Sequence, residues 1–332
     1  MAASRSTDGN ELQNMAFVQV SNLMDNDYSR WMENLPNEKQ LCLVNDLVIP
    51  GSHDSGAFFL DKSLEVGPDE PQTIQNLVTV FGRPAKSVIC SWSITQTLNI
   101  YEQLMNGVRY LDLRVAFRPQ DNELRIVHGL YGCSVFEVLE DIKRFVSERP
   151  KEIVFIDFNH FYNMDSEAHQ RLADTLLGMF AEILRAPGDD NMNFTLQDMW
   201  GNEEKVLIFY HNSDVTACYP CFWPSSFLNS PWANVSDKKE LLKFLNEKCL
   251  KSELSASCFH VTQGVLTPQT STVIQNMSGS LKECLALRCN FHFTGWLKAL
   301  CDSKIHKFNI IITDFVDYGE FIPTVISMNY FY

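Results

Sequence analysis

The chain has 332 residues, of which 45% are hydrophobic and 20% charged, the composition of a soluble globular protein with a sizeable core. Its formal net charge of −14 argues against nucleic-acid binding and against polybasic attachment to anionic lipid, since both need clusters of Lys and Arg. No apolar stretch reaches membrane-spanning length, and the N-terminus lacks the pattern of a signal peptide. The 10 cysteines are therefore predicted to be reduced thiols of a cytoplasmic protein.

The first predicted elements are a flexible polar tail over residues 1–27 and a short buried strand over residues 47–49. Pro50 and Gly51 are expected to end this strand, and His53 and Asp54 follow on a tight loop. An imidazole beside a carboxylate, just past the carboxyl end of a buried strand, is where α/β folds place their chemistry.

Further strands and helices alternate along the rest of the chain. The predicted strands cover residues 108–115, 124–128, 152–158, 205–210, 257–263 and 309–314. The predicted helices cover residues 94–106, 134–148, 166–184, 236–250 and 279–301, and residues 61–83 and 211–235 are predicted to be long loops.

This alternation predicts one α/β domain with parallel strands over residues 28–332. The alternatives are an irregular TIM-type (β/α) barrel and a doubly wound open sheet. The barrel is favoured because polar strand ends occur along the whole chain, and a closed ring brings such ends together.

The strand after Gly107 carries two charged residues, Asp112 and Arg114, which lie two positions apart and therefore share a face. They are predicted either to plug the barrel as a buried salt bridge or to form a site with His53 and His128. Two imidazoles, two carboxylates and a guanidinium in one mouth suit acid–base chemistry on an anion.

Five stretches occur in a fixed order: Ile49–Ser55, Gly107–Arg114, Val127–Gly129, Glu152–His160 and Ile311–Phe315. Together they resemble the X domain of phosphatidylinositol-specific phospholipase C, in particular the X-domain proteins without accessory modules. The resemblance covers roughly residues 28–332 and implies an irregular TIM barrel. It also implies an enzyme of lipid degradation and signal transduction, which binds a membrane surface transiently. This phosphodiesterase would cleave phosphatidylinositol-type lipids to diacylglycerol and a cyclic inositol phosphate.

The resemblance also implies catalytic roles. His53 would be the general base on the inositol 2-hydroxyl, with Asp314 orienting its imidazole. Arg114, supported by Asp54, would hold the phosphoryl oxygens in a bidentate way.

His128 would be the general acid for the diacylglycerol oxygen, steadied by Asp112. In the calcium-dependent members of the family, acidic residues at the positions of both Asp112 and Arg114 bind the ion. Calcium prefers several oxygen ligands, and a fixed guanidinium repels it. No metal and no other cofactor are therefore expected, and calcium is the disfavoured alternative.

Four further residues are candidates for substrate binding: Asp157, Asn159, Tyr210 and Gln263. The alternative for Asp157 and Asn159 is ordinary hydrogen bonding at a strand end, and for Tyr210 it is a place in the core. Asn159 also departs from the family, which has a lysine or a glutamate near this position.

The aromatic loop with Phe222, Trp223, Phe227 and Trp232 is predicted either to contact a lipid interface or to fold onto its own apolar cluster. His160 and His211 are interpreted as structural or surface residues.

Two other functions stay open. A metal-dependent glycerophosphodiesterase would need acidic ligands where Arg114 stands. A non-catalytic barrel that binds phosphoinositides or proteins would keep only the anion pocket. The pair of His53 and His128 favours an enzyme, because binding alone does not require two titratable groups.

Overall fold

The computed structural model of the protein describes residues 27–188, 192–249, 255, 257–303 and 308–330. The tail predicted over residues 1–27 lies outside the described residues except for Asp27. Within the described ranges, no helix combines the length and the apolar character needed to cross a membrane.

The protein is a nearly closed barrel of parallel strands with helices packed around it. The strands are β1 (Ile49–Ser52), β2 (Tyr110–Arg118), β3 (Glu123–His128), β4 (Leu130–Ser134), β5 (Val154–Tyr162), β6 (Val206–Tyr210), β7 (Trp223–Pro224), β8 (Leu228–Asn229), β9 (Phe259–Gln263) and β10 (Ile310–Thr313). The barrel strands are paired in the order β7-β6-β5-β2-β1-β10-β9-β8. β3 and β4 form an antiparallel ribbon that extends from β2. The path of paired strands ends at the short β7 and β8, so the ring is interrupted between them.

The helices occupy the connections between these strands. They are α1 (Asn37–Gln40), α2 (Gln72–Phe81), α3 (Arg83–Ser93), α4 (Ile100–Met105), α5 (Val135–Glu148), α6 (Ser166–Phe180), α7 (Leu196–Gly201), α8 (Ser213–Cys218), α9 (Lys238–Cys249), α10 (Thr270–Gln275), α11 (Leu287–Ser303) and α12 (Phe321–Ser327). A π-helical turn, Lys282–Ala286, comes directly before α11. Short 3-10 helices occur at Tyr28–Arg30, Val44–Asp46, Ala181–Ile183, Ser225–Phe227 and Met328–Tyr330.

This architecture confirms the predicted TIM-type barrel and shows that the open, doubly wound alternative is wrong. β1 lies between β2 and β10 and is parallel to both. The carboxyl ends of the first and the last strands therefore meet, as the polar strand ends in the sequence predict.

The predicted end of the first strand is wrong by several residues, because Pro50 and Gly51 lie inside β1. Pro50 has no N–H to donate, but its carbonyl accepts a hydrogen bond from the Arg109 N–H at 2.8 Å. A Cβ on Gly51 would come within 2.8 Å of Ile312 and 2.9 Å of Tyr110. Gly51 is therefore needed for close packing of neighbouring strands and does not act as a strand terminator.

The helices before β2 also differ from the prediction. The helix expected over residues 94–106 is the shorter α4, which begins at Asn99 with a capping box to Glu102. The loop predicted over residues 61–83 contains α2, which forms a hairpin with the following α3 through a turn at Gly82. By contrast, the helix predicted over residues 134–148 is present as α5, and Ser134 caps it with a capping box to Glu137.

A buried ion pair lies between the barrel strands and the surrounding helices, at the amino ends of β2 and β5. Arg109 and Glu152 precede β2 and β5, and their side chains are 0% and 1% exposed. Two guanidinium nitrogens of Arg109 donate to Glu152 Oε2, at 2.8 and 2.6 Å. The Nη1 group donates to the carbonyls of Leu104 and Val108, each at 2.7 Å. This charge is thus both paired and fully hydrogen bonded.

Candidate active site

His53 and Asp314 meet at the carboxyl ends of β1 and β10, where His53 Nδ1 lies 2.7 Å from Asp314 Oδ1. The backbone N–H of His53 donates to the Thr313 carbonyl at 3.1 Å. Gln96 holds the two loops together, because its side-chain amide donates to the carbonyls of His53 and Thr313, at 2.9 and 3.1 Å. The imidazole therefore presents Nε2 to the mouth of the barrel.

Asp54 is the centre of the site, with a side chain that is only 2% exposed. Its Oδ2 lies 3.5 Å from His53 Nε2 and 3.3 Å from His128 Nε2. Its Oδ1 forms an ion pair with Arg114 Nε. The backbone of Asp54 has φ of 40°, in the left-handed region that non-glycine residues rarely adopt. One buried carboxylate thus faces two imidazoles and a guanidinium.

His128 is oriented by the end of helix α3. Its Nδ1 lies 2.7 Å from the Ser93 carbonyl, which only accepts, so Nδ1 carries the proton and Nε2 faces Asp54. Gly129, with φ of 71°, makes this approach possible, since a Cβ there would come within 2.4 Å of Ser93 Oγ. The Gly129 N–H also donates to Asp69 Oδ2 at 2.6 Å.

A network of two carboxylates and one amide lies on the other side of Asp54. Asp112 Oδ2 accepts a hydrogen bond from the Asp54 N–H at 3.0 Å, and Asp112 Oδ1 accepts from Asn159. The Asn159 amide also donates to Asp157 Oδ2 at 3.1 Å. The register of β2 and β5 shifts here, so that Asn159 is an extra residue in a β-bulge that turns its side chain toward Asp112.

Asp157 is a buried partner of two further groups. Tyr110 donates its hydroxyl proton to Asp157 Oδ2 at 2.6 Å, and His211 Nε2 lies 2.9 Å from Asp157 Oδ1. His160 Nδ1 lies 2.7 Å from Asn159 Oδ1. His160 and His211, interpreted from the sequence as structural or surface residues, therefore lie at the margin of the site.

The charges of this cluster shift the protonation equilibria of its members. Burial would lower the pKa of His53, but the carboxylates of Asp54 and Asp314 outweigh it and raise that pKa to about 9. Burial likewise disfavours the Asp54 anion, but Arg114 and the two imidazoles lower the pKa of Asp54 to about 2. Burial and the nearby Asp54 carboxylate raise the pKa of Asp112. At neutral pH the site holds an ionised Asp54 against a protonated His53.

Two contacts expected of Asp112 belong to Asp54 instead. Arg114 pairs with Asp54, and His128 faces Asp54 as well. The reason is that Asp112 already accepts hydrogen bonds from the Asp54 N–H and from Asn159. The predicted Asp112–Arg114 plug is therefore not formed, and the expectation that Asp112 steadies His128 is wrong.

The hydrogen bonds of the other two predicted substrate-binding residues, Tyr210 and Gln263, are to groups outside this cluster. Tyr210 is 0% exposed, and its hydroxyl lies 2.8 Å from His169 Nδ1, so it offers no ring face to a ligand and occupies the core. Gln263 ends β9 and donates to Ser230 Oγ at 2.9 Å. Asp157 and Asn159, in contrast, join the cluster itself.

Three residues that contribute to the site are not among the residues predicted from the sequence: Ser93, Gln96 and Tyr110. Ser93 acts through its backbone carbonyl, which no side-chain pattern reveals. Gln96 lies in an irregular segment after α3. Tyr110 lies two residues before Asp112 on the same strand face, and this spacing was the available signal.

The aromatic loop is folded onto the barrel. Trp223 is 0% exposed, and its indole N–H donates to the Arg185 carbonyl at 2.8 Å. Phe227 packs edge-on against Trp223, with ring centroids 5.2 Å apart. The prediction of an interfacial Trp223 is therefore wrong, and Trp223 and Phe227 form a local apolar cluster, whereas Trp232 is 52% exposed.

The site is a poor fit for calcium. In the described part of the chain, His53, Asp54 and Asp112 bring one potential ligand atom each within 4.8 Å of one another. Calcium prefers six to eight oxygen ligands. These residues offer two carboxylates, and Asp54 is already paired with Arg114, whose fixed positive charge would repel a divalent ion.

Comparisons with known proteins point to one family. The family described as "Phosphatidylinositol-specific phospholipase C, X domain" matches residues 88–212. "PI-PLC X domain-containing protein 3" of Danio rerio is 39% identical over 306 residues, covering 92% of this chain and 94% of that protein. "PI-PLC X domain-containing protein 2" of Homo sapiens is 38% identical over 257 residues, covering 77% and 83%.

Two solved structures share the fold. The phosphatidylinositol-specific phospholipase C from Listeria monocytogenes superimposes with a TM-score of 0.66 at 20% identity, covering 92% of this chain and 99% of that one. A phosphatidylinositol-specific phospholipase C of S. aureus, solved in work on its membrane binding, gives a TM-score of 0.64 at 19% identity, covering 91% and 97%.

Proposed function

The chain belongs to the family of PI-PLC X domain-containing proteins, and from this premise we propose that it cleaves phosphatidylinositol-type lipids by histidine general acid–base catalysis. The observation that carries the proposal is the position of Asp54. Its carboxylate faces the Nε2 atoms of both His53 and His128 and forms an ion pair with Arg114. A base, an acid and a phosphate-binding guanidinium thus surround one point.

In the first step, His53 Nε2 accepts the proton of the inositol 2-hydroxyl while Asp314 holds Nδ1. The hydroxyl oxygen then attacks phosphorus. The reactive form carries an uncharged His53, whereas its pKa of about 9 keeps most of the free protein protonated at neutral pH. Because the mechanism also needs a protonated His128, we expect kcat/KM to rise and then fall with increasing pH, and a pH-independent kcat/KM would contradict the roles of the two histidines.

Arg114 binds the phosphoryl oxygens during this attack. Its Nε is held by Asp54, which leaves its terminal nitrogens for the anion, and its side chain remains 23% exposed at the mouth. The guanidinium stabilises the charge that develops on the pentacoordinate phosphorus. Asp54 thereby fixes the donor geometry before substrate arrives.

His128 completes the step as the general acid. Its Nδ1–H is bonded to the Ser93 carbonyl, so a proton delivered to the substrate comes from Nε2 of the imidazolium form. The leaving diacylglycerol oxygen takes this proton, and the product is an inositol 1,2-cyclic phosphate. Water can open the ring with the two histidines in exchanged roles.

We also propose that the reaction needs no metal ion. The support is the ion pair between Arg114 and Asp54, which places a permanent positive charge where a divalent ion would bind. This arrangement also disfavours a metal-dependent glycerophosphodiesterase. Arg114→Asp would remove the phosphate contact and most of the activity, and it would create a carboxylate set more favourable to calcium.

The test is turnover of phosphatidylinositol and of a soluble short-chain analogue by the purified full-length protein, with and without chelator. Release of diacylglycerol and cyclic inositol phosphate in the presence of chelator is the expected result. Saturable binding of the headgroup without turnover would instead establish the non-catalytic binding barrel. Activity that appears only with added metal would favour a glycerophosphodiesterase-like mechanism.

A further inference from the structure

Asp54 has an unusual backbone conformation on which the candidate site depends. Its φ of 40° lies in the left-handed region, which costs energy for a residue with a Cβ. Such a conformation persists only where the surrounding structure fixes it. A rotation of this backbone would move Oδ2 away from the two imidazoles and Oδ1 away from the guanidinium of Arg114. The contacts that fix the backbone of Asp54 therefore also arrange the site.

Both peptide groups that flank the Cα of Asp54 are hydrogen bonded. In the peptide group before it, the His53 carbonyl accepts from the Gln96 side chain at 2.9 Å, and the Asp54 N–H donates to Asp112 Oδ2 at 3.0 Å. In the peptide group after it, the Ser55 N–H donates to the Asp112 carbonyl at 2.8 Å. Because φ and ψ describe rotations between these two planar groups, anchoring both groups fixes the conformation.

The remaining polar group of these two peptides, the Asp54 carbonyl, accepts two hydrogen bonds. The Ala57 N–H donates to it at 2.9 Å, which closes a local turn. Thr95 Oγ1 donates to it at 2.8 Å from a position 41 residues further along the chain. Thr95 follows helix α3, so this second bond ties the loop after β1 to a separate element.

Thr95 is itself held in place by the loops that it joins. It is 0% exposed, and its N–H donates to the Ala57 carbonyl at 3.0 Å. Its carbonyl accepts from the N–H of Phe315, which lies in the loop after β10, at 2.7 Å. The branched side chain of threonine also has few χ1 rotamers. The hydroxyl is therefore presented to Asp54 from a fixed position.

We propose that Thr95 is a positioning residue for the reaction, whose hydroxyl holds Asp54 in its left-handed conformation and so keeps the carboxylate against the two imidazoles and the guanidinium. The inference rests on the proposed function. Thr95 acts only through Asp54 and contacts no reacting atom in the proposed mechanism. A hydroxyl that merely satisfied a buried carbonyl would affect stability without affecting the imidazoles.

The test compares Thr95→Val, Thr95→Ser and Thr97→Val in the full-length protein. Valine keeps the branched shape and removes the donor, while the Asp54 carbonyl keeps its bond from Ala57, so the fold should survive. Serine restores the donor. Thr97→Val is the matched control, because Thr97 is exposed and its hydroxyl accepts from Lys282 at 3.0 Å. The unfolding temperature checks each fold, and Thr95→Ala replaces Thr95→Val if the latter does not fold.

The first measurement needs no turnover. It is the titration of His53, followed by NMR in protein with labelled histidines, with the His53 signal identified by its absence from His53→Gln. The charged groups around His53 are three carboxylates and two cations that lie beyond one of them. They are Asp54, Asp112, Asp314, Arg114 and His128.

Displacement of Asp54 should change this titration in a known direction. Burial alone lowers the pKa of His53, and the Asp54 carboxylate is the largest of the effects that raise it to about 9. In Thr95→Val, His53 should therefore titrate at a lower pH than in the unsubstituted protein. Thr95→Ser and Thr97→Val should titrate as the unsubstituted protein does.

The second measurement is the initial rate on the soluble analogue. Thr95→Val should lower kcat/KM by about 10–100-fold, because a small displacement of a group that orients the reaction has an effect of this size. The rising limb of its pH profile should move to lower pH together with the titration of His53. Thr95→Ser and Thr97→Val should keep the rate and the pH profile of the unsubstituted protein.

An unchanged titration of His53 in Thr95→Val would overturn the proposal, even if that variant were less stable. An equal shift in Thr97→Val, or a shift that Thr95→Ser does not reverse, would overturn it as well. The two proposals fail in different ways. A shifted titration in Thr95→Val alone, with no turnover by any protein, would refute the enzymatic function and support the positioning role. Equal turnover by all the proteins with an unchanged titration would do the reverse.

Discussion

Two buried ion pairs between an arginine and a carboxylate lie at opposite ends of the barrel strands, and they differ in the polar atoms that remain available to another molecule. Arg109 and Glu152 at the amino end are 0% and 1% exposed, and each nitrogen of the guanidinium has a partner. Arg114 at the carboxyl end is 23% exposed, and Asp54 is also faced by two imidazoles. The charged groups of the first pair are satisfied within the protein. The second pair leaves hydrogen-bond donors of Arg114 and the protons of the two imidazoles available to another molecule. Burial of charge alone therefore does not identify a functional site, while incomplete pairing does.

The largest expected effect is a loss of turnover, and it concerns the carboxyl end of the barrel. His53→Gln should lower turnover of phosphatidylinositol by a factor of about 1,000 or more, because the general base is removed while the loop keeps its packing. The matched control is His260→Gln, since His260 lies at the amino end of β9. Initial rates on the soluble analogue provide the measurement. Retention of most of the activity by His53→Gln would exclude the proposed base.

The second effect is a loss of stability, and it concerns the amino end of the barrel strands. Glu152→Gln should lower the free energy of unfolding by about 3–5 kcal/mol, because it leaves the Arg109 charge buried without a counter-ion. Glu148→Gln is the control, because its pair with Arg144 is at the surface, where solvent screens the attraction and the pair contributes little to stability. Denaturant titrations should show this difference.

The third effect is a pH dependence that belongs to the carboxyl end. The folded-state pKa of His53 is raised to about 9, so its ion pairing stabilises the fold fully below the unfolded value of about 6.5. This contribution, about 2–3 kcal/mol, should be lost as the pH rises through 9. Unfolding of the unsubstituted protein and of His53→Gln should therefore differ at about pH 6 and converge at higher pH. From the sequence alone, a loop histidine would be expected to contribute little to the free energy of unfolding. A difference in that free energy between the two proteins that does not change with pH would contradict the ion pairing of His53.

The last prediction is that removal of metal ions does not change turnover. Turnover should be unchanged by chelator, because Arg114 supplies the positive charge at the carboxyl end. Rates in chelator and in millimolar calcium provide the comparison. A requirement for calcium would show that the ion pair with Asp54 opens to admit a metal, and the contrast between the two arginines would then need another explanation.

The main features of the fold and of the site could be predicted because they depend on short, regular patterns. Strands that alternate with helices predict parallel pairing, and parallel strands bring their carboxyl ends together. His53, Arg114 and His128 are near such ends, and the structure brings their side chains around Asp54. Asp314, which follows the last strand, contacts His53 for the same reason.

The remaining features depend on geometry that has no local pattern. Asn159 reaches Asp112 because of a register shift between β2 and β5, and such a bulge is decided by strand pairing. Trp223 is buried although its strand has two residues, which is too short for a period to be recognised. The Ser93 carbonyl reaches His128 only because Gly129 permits the approach of α3.

The position of β1 between β2 and β10 has a consequence for the order in which the protein is made. His53 and Asp314 are 261 positions apart, so the ribosome must deliver nearly the whole chain before this contact can form. Until β10 emerges, one side of β1 has no partner, and an open strand edge is a template for unwanted pairing. A nascent chain of this topology needs protection from aggregation until β10 has emerged. A truncated product lacking β10 would lose the stability of the ring and the candidate site at once.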